Sequence, residues 1–266
     1  MMSDRLTALL TSNDKTPRLL LDAADYAKRV LLQDKDVPWS DATAFSNHLS
    51  SIQMLLKPDV ALIRIDQLLQ DELAHNTTLL ETMAAKTRTG YATRTMLGDE
   101  ALKEKVRDLV FTASKTQNAP VLLHLSSPKA LLITADRAAN PDSDKSFDDD
   151  SAEFAAVYYA DWVRIFAEHR IAGIIFDERT ELTTDEAYQP IRNTAEHYGW
   201  LIGHRGEDSL DFGEDIPTVP VVGADFWDGS GDVPTAQALF SEVPADAVPE
   251  QVLERIKEIR EQGQAS

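Results

Sequence analysis

The sequence contains no cysteine. Disulfide bonds, iron–sulfur clusters, thiolate zinc sites and a cysteine nucleophile are therefore excluded. Basic residues are also scarce, since 26 Lys and Arg stand against 45 Asp and Glu in 266 residues, which gives a formal net charge of −19. Nucleic acids and anionic membrane surfaces attract clustered Lys and Arg, so we expect neither as a partner.

Glycine is sparse as well, with 11 residues, and neither GxGxxG nor GxxxxGK[ST] occurs. The phosphate-binding loops of nucleotide-binding sheets are therefore absent. No stretch approaches the ~20 apolar residues of a membrane span, and no targeting segment is visible at the start of the sequence. The expected location is the cytoplasm.

The sequence does contain an alternation of short apolar runs with segments of helical period. The runs predict strands at 18–21, 60–65, 120–125, 172–177, 200–204, 218–225 and 238–240. Amphipathic segments, such as 40–56 and the stretch beginning at Pro249, predict helices between and after them. This alternation is typical of an α/β fold with a parallel sheet. Because nucleotide loops are lacking, we predict a (β/α)8 TIM-barrel-like fold that is short or irregular.

The chain is interpreted as one barrel domain over 1–266, with 1–40 as an N-terminal helical extension. Segment 136–150 is predicted to be an acidic loop that acts as a lid, because it is rich in aspartate. Asp150 or Ser151 is expected to cap the next helix, whose buried stripe would contain Phe154, Tyr158, Trp162, Val163 and Phe166. The residues 183–186 match a capping box and predict the start of a later helix. Pro190 is expected to kink or restart that helix, and Gly199 to end it.

In an α/β barrel the reactive groups lie at the carboxyl ends of the strands, and here those ends are rich in ionisable side chains. Buried carboxylates and histidines suit acid–base work, and arginines suit a substrate carboxylate. We expect the catalytic residues to be Asp66, His124, His204 and Asp177. We expect the substrate-binding residues to be Arg64, Arg179, Arg205, Asp225 and Trp227.

No metal or other cofactor is expected. The alternative is a divalent metal on His124, Asp177 and His204, although no HxH or HExxH spacing favours it. A Ser–His–Asp hydrolase is not favoured either, because GxSxG is absent.

The order of several segments resembles the uroporphyrinogen decarboxylase superfamily. The segments are KPDVALIRIDQL at 57–68, the region 120–132, AGIIFD at 172–177, VVGADFW at 221–227 and the region 240–252. The resemblance implies a (β/α)8 barrel and places Asp66 at the catalytic aspartate of the decarboxylase. The superfamily also contains corrinoid-linked methyltransferases and cobalamin-independent methionine synthase.

The departures from this family narrow the expected activity. The arginine motif near Trp39 is missing, Thr134 or Ala135 replaces a tyrosine, and Ser241 or Glu242 stands in the region of the C-terminal histidine. A tetrapyrrole with four carboxylates is therefore not the expected substrate. His204 lies where an HxC zinc motif would begin, but Gly206 stands at the cysteine position, so thiolate-zinc methyl transfer is not expected.

The leading hypothesis is an enzyme, namely a decarboxylase-like lyase that acts without a cofactor on a small organic acid or aromatic substrate. The first alternative is a methyltransferase or demethylase that works with a corrinoid or folate partner. The second is a non-catalytic accessory or binding protein with a degenerate barrel. The resemblance also implies a homodimer.

Overall fold

The structure is a computed structural model that describes residues 2–262. Over this range eight strands form one sheet in the order β1-β8-β7-β6-β5-β4-β3-β2. The strands are β1 Arg18–Asp22, β2 Ala61–Arg64, β3 Val121–Ser126, β4 Ile171–Asp177, β5 Leu201–Arg205, β6 Ser209–Asp211, β7 Val219–Val222 and β8 Ala238–Glu242. The sheet curves into a nearly closed barrel, and the predicted irregular TIM-barrel-like fold is confirmed.

Eleven α-helices accompany the sheet within the same described residues. They are α1 Met2–Leu10, α2 Ala24–Leu32, α3 Ala42–Leu56, α4 Ile65–His75, α5 Thr77–Met83, α6 Tyr91–Gly98, α7 Glu100–Thr116, α8 Pro128–Ala139, α9 Asp149–Trp162, α10 Gln189–Tyr198 and α11 Pro249–Gln262. Short 3₁₀ helices occupy Val163–Phe166, Glu186–Tyr188 and Ala224–Asp228. None of the helices among the described residues is long and apolar enough to cross a membrane.

The two end strands of the sheet, β1 and β2, approach each other through Asp59. Its backbone N–H donates to Leu19 O at 2.9 Å, and its side chain accepts from Leu19 N at 2.8 Å. Asp59 thus supplies the link that nearly closes the barrel. The region 1–40, expected as a helical extension, contributes β1 itself as well as α1 and α2.

All neighbouring strands are parallel except at β6, which runs antiparallel to β5 and β7. The turn between β5 and β6 spans only residues 206–208, and so short a turn can join only antiparallel strands. The sequence predicts the other seven strands but misses β6. The barrel is irregular because this hairpin replaces a strand–helix–strand unit.

The barrel interior is filled by apolar side chains from alternate positions of the strands. Leu20, Leu122, Ile175, Leu210 and Phe240 pack together there with two leucines of α1. The intervening strand residues face outward and pack against the helices. The same alternation brings the next inward position of six strands to the carboxyl end of the barrel.

The segment predicted as a loop over 136–150 is shorter in the structure. Helix α8 continues to Ala139 and α9 begins at Asp149, so only 140–148 connects them. Asp136 is buried on α8 and accepts hydrogen bonds from Ser143 and Lys145. These contacts fix the connection to α8, and its role as a lid stays a prediction.

One predicted helix start was wrong, and a second was correct only in part, since α10 starts at Gln189 with Pro190 in its first turn. Asp148, rather than Asp150 or Ser151, caps α9, because its side chain accepts from the backbone of Ser151. The capping box at 183–186 does not open α10 directly, since the 3₁₀ helix Glu186–Tyr188 comes first. Thr183 is buried and its hydroxyl accepts from the Lys129 N–H, so it serves the contact with α8 instead.

The predicted stripe of α9 was partly wrong. Phe154 is 68% exposed, whereas Trp162, Val163 and Phe166 are buried as expected. The inward face carries alanines and Tyr159 instead. Small side chains let α9 lie close to α8, which leaves Phe154 on the outside.

Candidate active site

The carboxyl end of the barrel interior is lined by ionisable side chains. Five are the last inward-facing residues of their strands, His124 lies one inward position before the end of β3, and two follow just after a strand. We call this set the ionic layer; it consists of Asp22, Arg64, Asp66, His124, Asp177, Arg179, Arg205 and Glu242. Strand register places three pairs of them side by side, namely Arg64 with His124, Asp177 with Arg205 and Asp22 with Glu242.

One half of the ionic layer is centred on Arg64. Its Nη1 donates to Asp22 Oδ2 at 2.6 Å. Its Nε and Nη2 donate to the two oxygens of Asp66 at 2.8 and 2.6 Å. Arg64 can reach Asp66 because α4 begins immediately after β2, so that Asp66 lies in the first turn of α4. Arg64 is thus held by two carboxylates.

The other half is centred on Arg179, and its arrangement is similar. Nε and Nη2 of Arg179 donate to the two oxygens of Asp177 at 2.9 and 2.6 Å. Nη1 donates to Glu242 Oε2 at 2.8 Å. This half is nearer the solvent, because the side chains of Arg179 and Glu242 are 26% and 35% exposed.

His124 lies between the two halves and has no exposed surface. Its Nδ1 is 3.3 Å from Asp66 Oδ1, a hydrogen bond, and its Nε2 is 3.9 Å from Asp177 Oδ2. Nε2 is buried and has no hydrogen-bond partner in the described chain. One ring nitrogen is therefore held by a carboxylate, while the other is left without a hydrogen bond to the described residues.

The carboxylates of the layer are stabilised in their charged form. Burial alone would raise the pKa of Asp66, but hydrogen bonds from Arg64 and His124 outweigh it and hold the pKa well below its usual range. Asp177 behaves alike, since the hydrogen bonds from Arg179 overcome burial and lower its pKa. Both groups stay ionised at neutral pH.

One neighbour and one member of the layer have pKa values that burial shifts away from the charged form. Tyr159 of α9 is fully buried, and burial together with the Asp66 charge raises the pKa of its hydroxyl. Arg205 is 3% exposed, and burial together with the nearby Arg179 charge lowers its pKa. Both side chains retain a buried polar atom that has no hydrogen-bond partner among residues 2–262.

The predicted catalytic residue His204 does not join this layer. It lies on the outward face of β5, where Nδ1 is 3.2 Å from Glu178 Oε1 and the ring meets Tyr188 edge-on at 4.6 Å between centroids. It is thereby separated from His124 and Asp177. No group of three or more His, Asp or Glu side chains in the described residues has the geometry to hold a metal ion.

Asp225 and Trp227, predicted to bind substrate, also lie outside the layer. Asp225 is exposed on the 3₁₀ helix that follows β7. Trp227 is buried in the packing against α11, and its Nε1 donates to Ser241 Oγ at 2.9 Å. The structure therefore brings together Arg64, Asp66, His124, Asp177, Arg179 and Arg205 of the predicted set.

Sequence reasoning missed Asp22 and Glu242. Each lies two residues after an inward apolar residue, Leu20 or Phe240, and that spacing is the signal that could have found them. Both strands were predicted, but their polar final residues lay just beyond the predicted ends at 21 and 240.

No model of a known protein family matches the chain, and no curated protein is similar enough to count as a relative. The resemblance to the uroporphyrinogen decarboxylase superfamily, the corrinoid or folate partner and the homodimer all stay predictions.

Proposed function

We propose that the protein is an acid–base enzyme, a decarboxylase-like lyase that acts on a small organic acid at the carboxyl end of the barrel. The observation that carries this proposal is the buried Asp66–His124 pair, in which Nε2 of His124 has no hydrogen-bond partner within the described part of the chain. A carboxylate on one imidazole nitrogen and a free second nitrogen form the arrangement of a general acid–base histidine. A wholly structural histidine would be expected to use both nitrogens.

In the proposed reaction the bond between the substrate carbon and its carboxylate breaks. Carbon dioxide leaves, and the electron pair stays on the carbon. That carbon takes a proton from Nε2 of protonated His124, which solvent then restores. Asp66 stabilises the imidazolium, and the low-dielectric surroundings strengthen this interaction.

Access to His124 requires part of the ionic layer to move. The pair Arg179–Glu242 is the exposed part, whereas Arg64 and Asp66 are well buried. We therefore place the opening on the side of Arg179. His204, Asp225 and Trp227 take no part in this proposal.

A screen of small carboxylic acids tests the proposal. Carbon dioxide release and incorporation of solvent deuterium into the product would be followed by NMR for the wild type, His124→Gln and Asp66→Asn. We expect turnover of at least one acid, with a loss of about 10²–10⁴-fold in His124→Gln, the range of general acid–base catalysis. The control is His197→Gln, on an exposed position of α10, which should keep wild-type turnover. Equal turnover in His124→Gln would refute the role of the dyad.

An accessory or binding role is the second candidate, and one observation favours it. Arg64 and Arg179 are each held by two carboxylates, and His124 has no exposed surface, so the layer could serve to close the barrel. This role predicts no turnover of any acid in the screen, together with a loss of stability in Asp66→Asn.

A further inference from the structure

Arg205 differs from the other arginines of the ionic layer in having no carboxylate partner. It is 3% exposed, and its Nη1 donates to the backbone oxygen of Glu207 at 2.8 Å. Its Nε is buried and makes no hydrogen bond to any residue that the structure describes. Arg64 and Arg179, in contrast, each donate to two carboxylates.

A buried cation that forms no ion pair is costly because it has left water without gaining a bonded anion. The guanidinium lies over the ring of Phe240, with 5.2 Å between its carbon and the ring centroid, and this contact offsets part of the cost. The buried Nε still lacks an acceptor. The arrangement is therefore one that an anion would complete.

The surroundings of Arg205 indicate the shape of that anion. On the side away from Asp177, the inward residues are apolar, namely Leu210 of β6, Val221 of β7 and Phe240 of β8. Three carboxylates, those of Asp177, Glu242 and Glu207, are close enough to raise the pKa of Arg205 against the effect of burial. An apolar group would meet apolar side chains on the first side, whereas a second carboxylate would be repelled by these three.

We infer that Arg205 binds the single carboxylate of a small apolar acid, whose apolar part lies against Leu210, Val221 and Phe240. The inference rests on the proposed function in that this acid would be the substrate. It selects a monocarboxylate over a dicarboxylate of the same length. It also assigns the substrate-binding role to the one arginine of the ionic layer whose donors are not already taken by carboxylates.

Calorimetric titration of the full chain tests this inference, with acetate, butyrate and benzoate as monocarboxylate probes and succinate as the four-carbon dicarboxylate. The variants are Arg205→Gln and Arg205→Lys, and the control is Arg192→Gln on the exposed surface of α10. We expect butyrate or benzoate to bind the wild type, and butyrate to bind at least about tenfold more tightly than succinate. Arg205→Gln should bind butyrate at least about tenfold more weakly than the wild type, and Arg205→Lys should lose less affinity. Arg192→Gln should bind it as the wild type does.

Two further measurements separate a binding role from a structural one. Arg205→Gln should melt at the wild-type temperature or above it, because the variant removes a buried cation without an anion. In wild-type protein, butyrate should shift the NMR signal of the Arg205 Nε–H group, identified by its loss in Arg205→Lys. This second measurement does not depend on whether the glutamine variant folds.

The inference is overturned if no monocarboxylate binds, if succinate binds more tightly than butyrate, or if Arg205→Gln binds butyrate as the wild type does. Its failure can be told apart from that of the proposed function. Binding that depends on Arg205 without any turnover supports the inference and counts against the lyase. Turnover that is unchanged in Arg205→Gln supports the lyase and contradicts the inference about Arg205.

Discussion

His124 lies between two carboxylates at unequal distances. Nδ1 is hydrogen-bonded to Asp66 at 3.3 Å, whereas Nε2 stands 3.9 Å from Asp177, beyond hydrogen-bonding distance. A neutral ring that donates from Nδ1 presents a lone pair at Nε2, and a protonated ring presents a proton there. The two carboxylates thus flank the ring, because one is hydrogen-bonded to Nδ1 and the other stands near Nε2 without a hydrogen bond.

Asp66→Asn tests how strongly the ionic layer depends on this carboxylate. The change removes one partner from a buried ion pair and leaves Arg64 with Asp22 alone. Breaking such a pair costs about 3–5 kcal/mol. We expect the free energy of unfolding, measured by urea titration, to fall by that amount. Asp71→Asn, on an exposed position of the same helix where Asp71 pairs with exposed His75, should change it by less than about 1 kcal/mol.

The acid side of the stability curve provides a second test at this scale. The folded-state pKa values of Asp66 and Asp177 lie below those of the unfolded chain. Their contribution to stability is therefore complete above the unfolded value near ~3.9 and is lost as the pH falls from there toward the folded values. We expect the unfolding free energy to drop steeply below about pH 4, and to drop less steeply in Asp66→Asn. If the wild type and Asp66→Asn lost stability with the same slope, the pKa of Asp66 would not be lowered in the folded protein.

At the scale of the elements, the sequence predicts most of the barrel because buried parallel strands are continuous apolar runs. It misses β6, Ser209–Asp211, because three residues with one inward leucine give no such run. The ionic layer is predicted in part for a related reason. Strand ends can be found from composition, but the pairing of β1 with β8, which joins Asp22 to Glu242, follows only from closure of the sheet.

The C-terminal end of α10 was predicted at Gly199 and is confirmed there. Gly199 has φ +68°, a left-handed conformation in which a side chain is unfavourable, and its N–H bonds back to the helix. Gly199→Ala should therefore lower the unfolding free energy by about 1–2 kcal/mol. Gly98→Ala is the matched control, since Gly98 ends α6 without a positive φ and an added Cβ meets nothing within 4 Å. We expect the unfolding free energy of Gly98→Ala to rise by up to about 1 kcal/mol. Urea unfolding should therefore show changes of opposite sign for the two variants.

On the scale of the whole molecule, the charges are distributed unevenly between interior and surface. The ionic layer contains four carboxylates and three arginines, so it accounts for one unit of the −19 while His124 is neutral. The remaining excess lies elsewhere, and part of it is concentrated at the exposed residues Asp142, Asp144 and Asp150. Interior charges are thus largely compensated, whereas surface charges repel one another.

Such a surface makes stability depend on salt. Raising NaCl from ~10 to ~150 mM shortens the Debye length from about 30 to 8 Å, which screens surface repulsion but leaves buried pairs nearly unaffected. We expect the melting temperature to rise by about 2–4 °C, the shift that ~1 kcal/mol produces in a domain of roughly this size. Replacing Asp142, Asp144 and Asp150 together by asparagine should raise the melting temperature at low salt and reduce its salt dependence, because this change removes repulsion without touching the cap Asp148 or the buried Asp136. A melting temperature that falls with salt would instead mean that surface ion pairs, such as Lys103–Glu100, outweigh the repulsion between like charges.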